Sequence, residues 1–294
     1  MTTPPVCDYE GSDYQDAFWE KGNRAYEDAA EVLALARLMP GGSGHLLELG
    51  AGAGRNTPRY LGFERITLLD YSTTQLAQAI QRLGSGPQYT FVAADIYRLP
   101  FAPAGFDAAT MIRTLHHLAE PLAALQGVRQ CLKPDALFLL EYANKRNLKA
   151  ILRYLTRRQE WNPFSREAVE FVRLNFDFHP ASVNQSLREA GFEIERQVCV
   201  SYLRAGFLKK VLPLRLMIAL EKVLQRMASR AAYSPSVFLR TRAAGQSPQP
   251  EPGAFFRCPA CGHSPLADTP PRLVCSNCGR SYPVTNGIYD FRLD

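Results

Sequence analysis

Two groups of residues in this 294-residue chain have the types and spacing to do chemistry. The first begins at Glu48-Leu-Gly50-Ala-Gly52-Ala-Gly54-Arg55-Asn56. Glycine at 50, 52 and 54 permits a tight turn with positive φ and lets the backbone approach a ligand closely before a helix opens near Thr57. The spacing is GxGxG rather than GxGxxG, and no Lys-Ser/Thr follows as a phosphate loop requires. Glu48, just ahead of the glycines, disfavours a pyrophosphate and suits a cationic or hydroxyl-bearing ligand, which argues against a nicotinamide dinucleotide. Asp70 follows about 20 residues after the glycines, at the end of a predicted strand, where a carboxylate accepts hydrogen bonds from ribose hydroxyls. Asp95 ends the next predicted strand in Val92-Ala-Ala-Asp95-Ile96. Open α/β sheets bind ligands at the carboxyl ends of their strands, so Glu48, Asp70 and Asp95 are expected around one crevice.

The second group is Cys258-x2-Cys261 and Cys275-x2-Cys278, with thirteen residues between the pairs. Four thiolates at this spacing close a tetrahedral shell, each pair on a tight turn, and Gly262 and Gly279 follow directly. The pattern reads as a zinc ribbon rather than a disulfide framework. With all four positions filled by Cys, no place remains for a substrate water, so the expected Zn2+ is structural. The other three cysteines, Cys7, Cys131 and Cys199, are scattered.

Short apolar runs alternate with helical patterns across the body of the chain. Strands are expected at 46–49, 65–69, 89–93, 106–111, 136–141, 192–200 and 236–242. Helices are expected at 25–38, 57–61, 74–82, 121–131 and 180–190. This alternation predicts an α/β fold, a Rossmann-like doubly wound sheet with helices on both faces. The stretch 245–253 holds three prolines and two glycines and reads as a linker. It divides a domain of residues 1–244 from a ribbon of residues 254–294. The latter is too small for a core without its metal. With 46% hydrophobic and 21% charged residues the composition is that of a globular protein. No apolar run reaches spanning length and the first residues lack a signal-peptide pattern, so no transmembrane segment and a cytoplasmic location are expected.

At these residues the sequence resembles the class I S-adenosylmethionine-dependent methyltransferases, particularly their ubiquinone/menaquinone-biosynthesis-like branch. The resemblance is carried by the Glu48 to Gly54 loop, Asp70, Asp95-Ile96, Phe106-Asp107, Arg113-Thr-Leu-His116-His117-Leu118 and Cys131-Leu-Lys133-Pro134. It covers residues 20–145 best and implies a seven-stranded sheet whose last strand is antiparallel. It also implies roles. Glu48 and the Gly50, Gly52 and Gly54 backbone would surround the methionine part of S-adenosyl-L-methionine. Asp70 would take the ribose, Tyr71 would lie beside the adenine, Asp95 would take the adenine amino group with the Ile96 amide nearby, and Arg113 would line the sulfonium end. Where relatives read Leu-Lys-Pro-Gly-Gly, this chain has Asp135-Ala136, a departure that affects a turn. His116 and His117 are candidates for a catalytic base, or residues that pack against or cap the next helix. Tyr14, Trp19 and Arg24 either close the pocket or pack as part of an amphipathic helix. The cysteine-containing tail resembles the small zinc-ribbon modules that activate RNA and protein methyltransferases.

The net charge of +6 is unevenly divided. Residues 1–144 carry 11 Lys+Arg against 16 Asp+Glu, residues 145–250 carry 19 against 8, and residues 251–294 carry 4 against 4. Much of the excess lies in 145–158 and in an insert before the last strand, where 203–232 reads as one basic amphipathic helix. Its apolar residues Leu216, Leu220, Val223 and Met227 recur at helical spacing beside Arg215, Lys222, Arg226 and Arg230. Three readings of the insert stand open: a lid with its apolar face on the body, a helix resting on an anionic membrane surface, or a grip on RNA phosphates. The function expected is methyl transfer to a small or lipid-like acceptor. The alternatives are an RNA or protein methyltransferase that docks through the basic segment and ribbon, and a non-catalytic cofactor-binding scaffold.

Overall fold

A computed structural model describes residues 4–8, 10–11, 24–229, 231–248 and 252–293. After α1 (Ala25–Leu38) the chain alternates through β1 (His45–Leu49), β2 (Arg65–Asp70), α2 (Thr73–Leu83), β3 (Tyr89–Ala93), β4 (Phe106–Met111), α3 (Pro121–Cys131) and β5 (Leu132–Ala143). Then come α4 (Leu148–Leu155), a hairpin of β6 (Val169–Val172) and β7 (Asn175–Asp177), α5 (Pro180–Glu189), β8 (Phe192–Val200), α6 (Gly206–Val211), α7 (Leu214–Met227) and β9 (Ser236–Ala243). The cysteine-bearing tail adds β10 (Ala267–Thr269), β11 (Arg272–Val274), β12 (Ser281–Thr285) and β13 (Ile288–Asp290).

The first nine strands, β6 and β7 apart, order as β3-β2-β1-β4-β5-β9-β8, with β9 antiparallel to both neighbours. Side chains alternate across the sheet as strand geometry requires. Leu47 and Leu49 join a core built with Ala124, Leu125, Val128 and Leu187 of α3 and α5, whereas Leu46 and Leu68 join one built with Ala34, Leu35 and Leu76 of α1 and α2. Layers of helix on both faces therefore bury strands that read as nearly continuous apolar runs. In place of the expected Asp135 turn the structure has an irregularity within β5: Asp135 sits at φ 63, in the left-handed region that Asp tolerates better than branched residues, and the register with β4 shifts between Phe106 and Ala108.

The expected sheet is extended. β13 pairs in parallel with β3, Ile288 opposite Phe91 and Asp290 opposite Ala93, and β12, β11 and β10 follow antiparallel to make eleven strands. What would be an open edge at β3 is thereby covered. Phe255, Phe256, Tyr282 and Phe291 pack on the core of the α3 side, and Phe256 bridges Phe101. The stretch that reads as a linker is pinned where described, because Arg129 of α3 donates to the carbonyls of Ala244 and Gly245 and to Ser247 Oγ.

Two local expectations fail. The helix expected at 57–61 is a single 3-10 turn over Thr57–Arg59, too short to continue past Tyr60. The insert is two helices rather than one, because Pro213, with no N–H to donate, separates α6 from α7. Its apolar stripe does not face the body either. α7 buries Met217, Glu221 and Gln225, and leaves Leu216, Leu220, Val223 and Met227 exposed. Burial of Glu221 succeeds because Tyr26 Oη, the Ser201 and Tyr202 amides and Gln225 Nε2 all donate to it. Gln225 Nε2 also reaches the Ala30 carbonyl of α1 at 2.9 Å.

Phe291 is 1% exposed, with ring centroids 4.9 Å from both Phe256 and Tyr282. Phe291→Ala is expected to cost about 3–5 kcal/mol in urea unfolding, and a loss below about 1 kcal/mol would show that the tail is held to the sheet by other contacts.

Candidate functional site

The strand order reverses at β1: the chain leaves β3 on one side and resumes at β4 on the other, which opens a crevice at the carboxyl ends of β1, β2 and β4. It encloses about 1050 Å³ of empty space, part of it open to solvent. Glu48, Gly50, Gly52, Asp70, Tyr71, Ile96 and Arg113 of the expected site line it. Gly54 lies just beyond, packed within 2.8 Å of Leu83 Cδ1 were it to carry a Cβ. Asp95 is flanked by the lining residues Ala94 and Ile96, and its Oδ1 accepts the Tyr97 amide at 2.9 Å.

The loop is shaped by its glycines. Gly50 has φ +66, and a Cβ there would fall 2.1 Å from Thr114 Oγ1. At Gly52, φ is +53 and the nearest atom to a Cβ is Gln75 Oε1 at 3.8 Å, so the constraint is backbone conformation and the room is that of the crevice. The Gly52 amide donates to Asp70 Oδ2 at 2.8 Å and the Ser72 amide to Oδ1 at 3.0 Å. The Tyr71 backbone also acts on this carboxylate, whose two oxygens together offer about four acceptor positions, so capacity remains for a further donor. Burial pushes the Asp70 carboxyl above its ordinary range and does the same to Asp95. Glu48 is buried, accepting from Thr57 Oγ1 at 2.6 Å and Tyr60 Oη at 3.1 Å, and burial pushes its carboxyl up to about 7.

Arg113 stands at φ 55 after β4, its amide held by Glu141 Oε2 at 2.9 Å. Its guanidinium pairs with Glu31 of α1, which also takes Arg55 at 2.6 Å. Asp28, one turn earlier, pairs with Arg55 and Arg59. Burial alone would push Glu31 up, but the Arg113 and Arg55 guanidiniums overcome it and hold the carboxyl below its ordinary range. Glu31, Asp28 and Arg59 escape sequence reasoning because their helix reads only as an amphipathic packing element. The signal available was acids at 27, 28 and 31, one helical turn apart.

The two histidines separate. His117 lines the crevice, and its Nδ1 donates to the Leu174 carbonyl at 2.8 Å, which leaves the basic lone pair on Nε2. His116 lies outside the lining, and among the described residues its Nδ1 meets no hydrogen-bond partner. Burial pushes both below the ordinary imidazole value. Of the N-terminal aromatics, Tyr14 and Trp19 lie outside the described residues. Arg24 pairs with Glu27 at 3.3 Å, and it is Val6 and Cys7 that reach the crevice.

The four tail cysteines converge, all Sγ atoms within 4.8 Å of one another, with Cys258 to Cys278 and Cys261 to Cys275 each at 3.6 Å. A tetrahedral zinc with Zn–S near 2.3 Å sets sulfur atoms about 3.8 Å apart, so the donor set and spacing fit. Each pair turns the same way: the Gly262 amide donates to the Cys258 carbonyl, and the Gly279 amide to that of Cys275. The tail also touches the crevice. Arg292 lies 5.8 Å from the Tyr71 ring centroid, donates to the Tyr71 carbonyl, and pairs with Glu10, which caps the start of α2 through the Thr73 and Thr74 amides.

Residues 47–140 match the methyltransferase domain family, and residues 254–287 match the Trm112p-like protein family. A demethylmenaquinone methyltransferase of Protochlamydia amoebophila is 31% identical over 171 residues, covering 50% of this chain and 68% of the relative. The chain belongs to the S-adenosylmethionine-dependent methyltransferases. Other relatives of this family match over less: an O-methyltransferase of Penicillium expansum is 29% identical over 46% of this chain and 52% of its own length. A demethylmenaquinone methyltransferase of Chlamydia trachomatis is 36% identical over 34% of this chain and 44% of its own. The chain thus spans about half the length of these two curated relatives.

Among solved methyltransferase folds, the complex of the Haloferax volcanii Trm112 activator with a methyltransferase gives a TM-score of 0.55 at 17% identity, over 79% of this chain and 96% of that one. A Burkholderia thailandensis 1,6-didemethyltoxoflavin N1-methyltransferase with bound S-adenosylhomocysteine gives 0.52 at 20%, over 79% and 84%. These likenesses establish the fold. The crevice residues described above fit S-adenosylmethionine: a glycine turn with room beside Gly52, and carboxylates at the ends of two strands.

Breaking one arm of a buried ion pair leaves its partners uncompensated, so Glu31→Gln is expected to cost about 3 kcal/mol at pH 7. A carboxyl held low contributes stability above its unfolded pKa near about 4.3 and loses it as pH falls through the folded value, so the gap between the variant and the parent should close in acid. Equal melting temperatures at pH 7 would refute the pairing. For the tail, one zinc per chain is expected by elemental analysis, and chelation should lower the melting temperature; a metal-free chain of undiminished stability would refute a structural role.

Proposed function

We propose that the protein transfers the methyl group of S-adenosylmethionine to a small or lipid-like acceptor. The observation that carries this is the convergence of the β1 glycine turn, Asp70 and the Arg113–Glu31 pair on one crevice at the switch point of the sheet. When bound, the cofactor supplies a methyl on a sulfonium, already electrophilic, so the protein has mainly to align and to manage charge.

In this reading Glu48 and the Gly50, Gly52 and Gly54 backbone hold the methionine part, and Asp70 accepts from the ribose with the lone pairs its backbone donors leave. Tyr71 flanks the adenine, braced from behind by Arg292. Asp95 and the Ile96 amide read the adenine edge. Arg113 borders the donor end without repelling a cation, because Glu31 neutralises it. For a protonated acceptor, His117 is the better base of the two histidines. It lines the crevice, its Nδ1 proton is committed to Leu174, and burial keeps it neutral at pH 7.

Calorimetry with S-adenosylhomocysteine tests the cofactor site. Asp70→Ala and Gly52→Val are expected to weaken binding at least about tenfold, whereas Asp135→Ala, at an exposed position of β5, leaves it unchanged. Because Glu48 carries a proton below about 7 and a ligand ammonium favours its carboxylate, affinity should rise with pH to about 7 and then level, with proton release on the acid side. Glu48→Gln should remove that slope. The acceptor class follows from where label from the methyl-tritiated cofactor appears in cell extract: organic solvent as proposed, while label only in RNA or protein would overturn this acceptor and no transfer at all would leave a cofactor-binding scaffold.

A further inference from the structure

The basic residues and the apolar surface that the crevice leaves unused lie on the same elements. α4 exposes Leu148, Leu152 and Leu155, three residues on one helical stripe, with Lys149 and Arg153 beside them. α6 buries none of its six residues, and Phe207 and Val211 are 68% and 75% exposed. On α7, Leu216, Leu220, Val223 and Met227 form an exposed stripe, while Arg215, Lys222 and Arg226 occupy another part of the solvent side. The inward side is the one committed to α1 through Glu221 and Gln225.

These elements adjoin one another. The Leu148 amide at the start of α4 donates to the Tyr233 carbonyl at 2.9 Å, and Arg146 lies 5.4 Å from the Tyr233 ring, just beyond the end of α7. Tyr154 of α4 meets Phe164 at 6.3 Å, and Trp161 meets Phe171 of β6 at 5.6 Å. The β6–β7 hairpin, with Val172 exposed at its tip, supplies the Leu174 carbonyl that holds His117 in the crevice. The elements that expose these apolar and basic residues are thus linked from the segment after α7 through α4 to the hairpin that holds His117 at the crevice.

We infer that α4, α6, α7 and the β6–β7 hairpin form a face that docks in the plane of an anionic lipid bilayer and delivers a membrane-dissolved acceptor to the crevice. The choice of acceptor rests on the methyltransferase reading; the docking face does not. Three features select a bilayer. The helical part of the face is free of exposed carboxylates among the described residues, since 145–158 has no acid and the one acid of 203–232, Glu221, is buried. The segment that carries the hairpin exposes Glu160, Glu167 and Glu170 beside Arg166 and Arg173, so the attraction to anions comes from the helices. Such a face is drawn to anionic headgroups at about 1 kcal/mol per basic residue near the surface. Its apolar residues are chiefly aliphatic, suited to the acyl boundary, whereas RNA phosphates would engage the basic residues and leave the aliphatic ones in water. A second copy of the chain would set basic residues against basic residues. No helix among the described residues is long and apolar enough to cross a membrane, and lying in the interface requires only one apolar side.

Sedimentation of the full chain with vesicles tests this. Phosphatidylcholine vesicles containing phosphatidylglycerol are expected to carry the protein down, and phosphatidylcholine alone is not. Lys149→Glu with Arg153→Glu should weaken vesicle binding at least tenfold, roughly fivefold for each basic charge removed. Leu152→Glu with Leu220→Glu should abolish it. All variants should keep the parent's circular dichroism and S-adenosylhomocysteine affinity, which separates loss of docking from loss of fold or of the cofactor site. Sedimentation indifferent to anionic lipid, vesicle binding unmoved by the leucine variants, preferential binding of a labelled structured RNA that only the charge reversals weaken, or a stable dimer that buries α4 and does not bind vesicles would each overturn it. Failure of the parent to bind S-adenosylhomocysteine would overturn the methyltransferase reading and leave the docking face standing on the vesicle result.

Discussion

The parallel pairing of β1 with β2 on one side and β4 on the other is the constraint on which the site depends. A parallel neighbour forces the chain to cross over, and crossing first one way and then the other leaves the carboxyl end of β1 flanked by connections that diverge. Into that gap the glycine turn projects its amides, one of them reaching Asp70 at the end of β2. Asp70 thereby fixes the turn while the turn fixes Asp70, so this crevice-lining carboxylate is preorganised by the backbone rather than by a flexible side chain. Burial pushes its pKa up, the Ser72, Gly52 and Tyr71 backbone donors oppose that, and the outcome is a carboxyl poised to gain from a further donor.

Charge management at the other end of the crevice depends on a helix that supplies no lining. Glu31 of α1 receives both Arg55 and Arg113, and Asp28 receives Arg55 and Arg59, so two carboxylates offset most of the charge of three guanidiniums before any ligand arrives. α1 is in turn gripped from outside by α7 through Tyr26, Glu221 and Gln225. The inserted helices are therefore joined to the site mechanically through buried polar contacts, and this is why their apolar residues remain available on the surface. The tail is coupled at the β2 side of the crevice in the same indirect way: a strand added to β3 brings Arg292 against Tyr71.

Much of this was legible in the residues themselves. The strands at 89–93, 106–111 and 192–200 and the helix at 121–131 fall where periodicity and turn residues place them. Gly50, Gly52, Asp70 and Ile96 come together because a glycine-rich turn and strand-terminal carboxylates can meet only at one edge of a parallel sheet. The four cysteines converge because two turns of the same form must face each other to share a metal. Less legible were the β6–β7 hairpin and α6, short elements whose burial is too slight to leave a period, and α4, whose Leu148, Leu152 and Leu155 repeat spans only two turns.

The sequence by itself determined the crevice, the metal shell and the location of the basic excess, since each depends on residue type at short separations along the chain. Tertiary structure alone decided which side of α7 faces inward. The apolar stripe was the natural choice for burial, yet four donors from three separate segments converge on Glu221 and make the polar side the one that is satisfied inside. It also decided that His117 and not His116 lines the crevice, and that the tail completes the edge of the sheet. Those outcomes turn on partners distant in sequence, whose meeting is fixed by packing and hydrogen-bond satisfaction rather than by any local pattern.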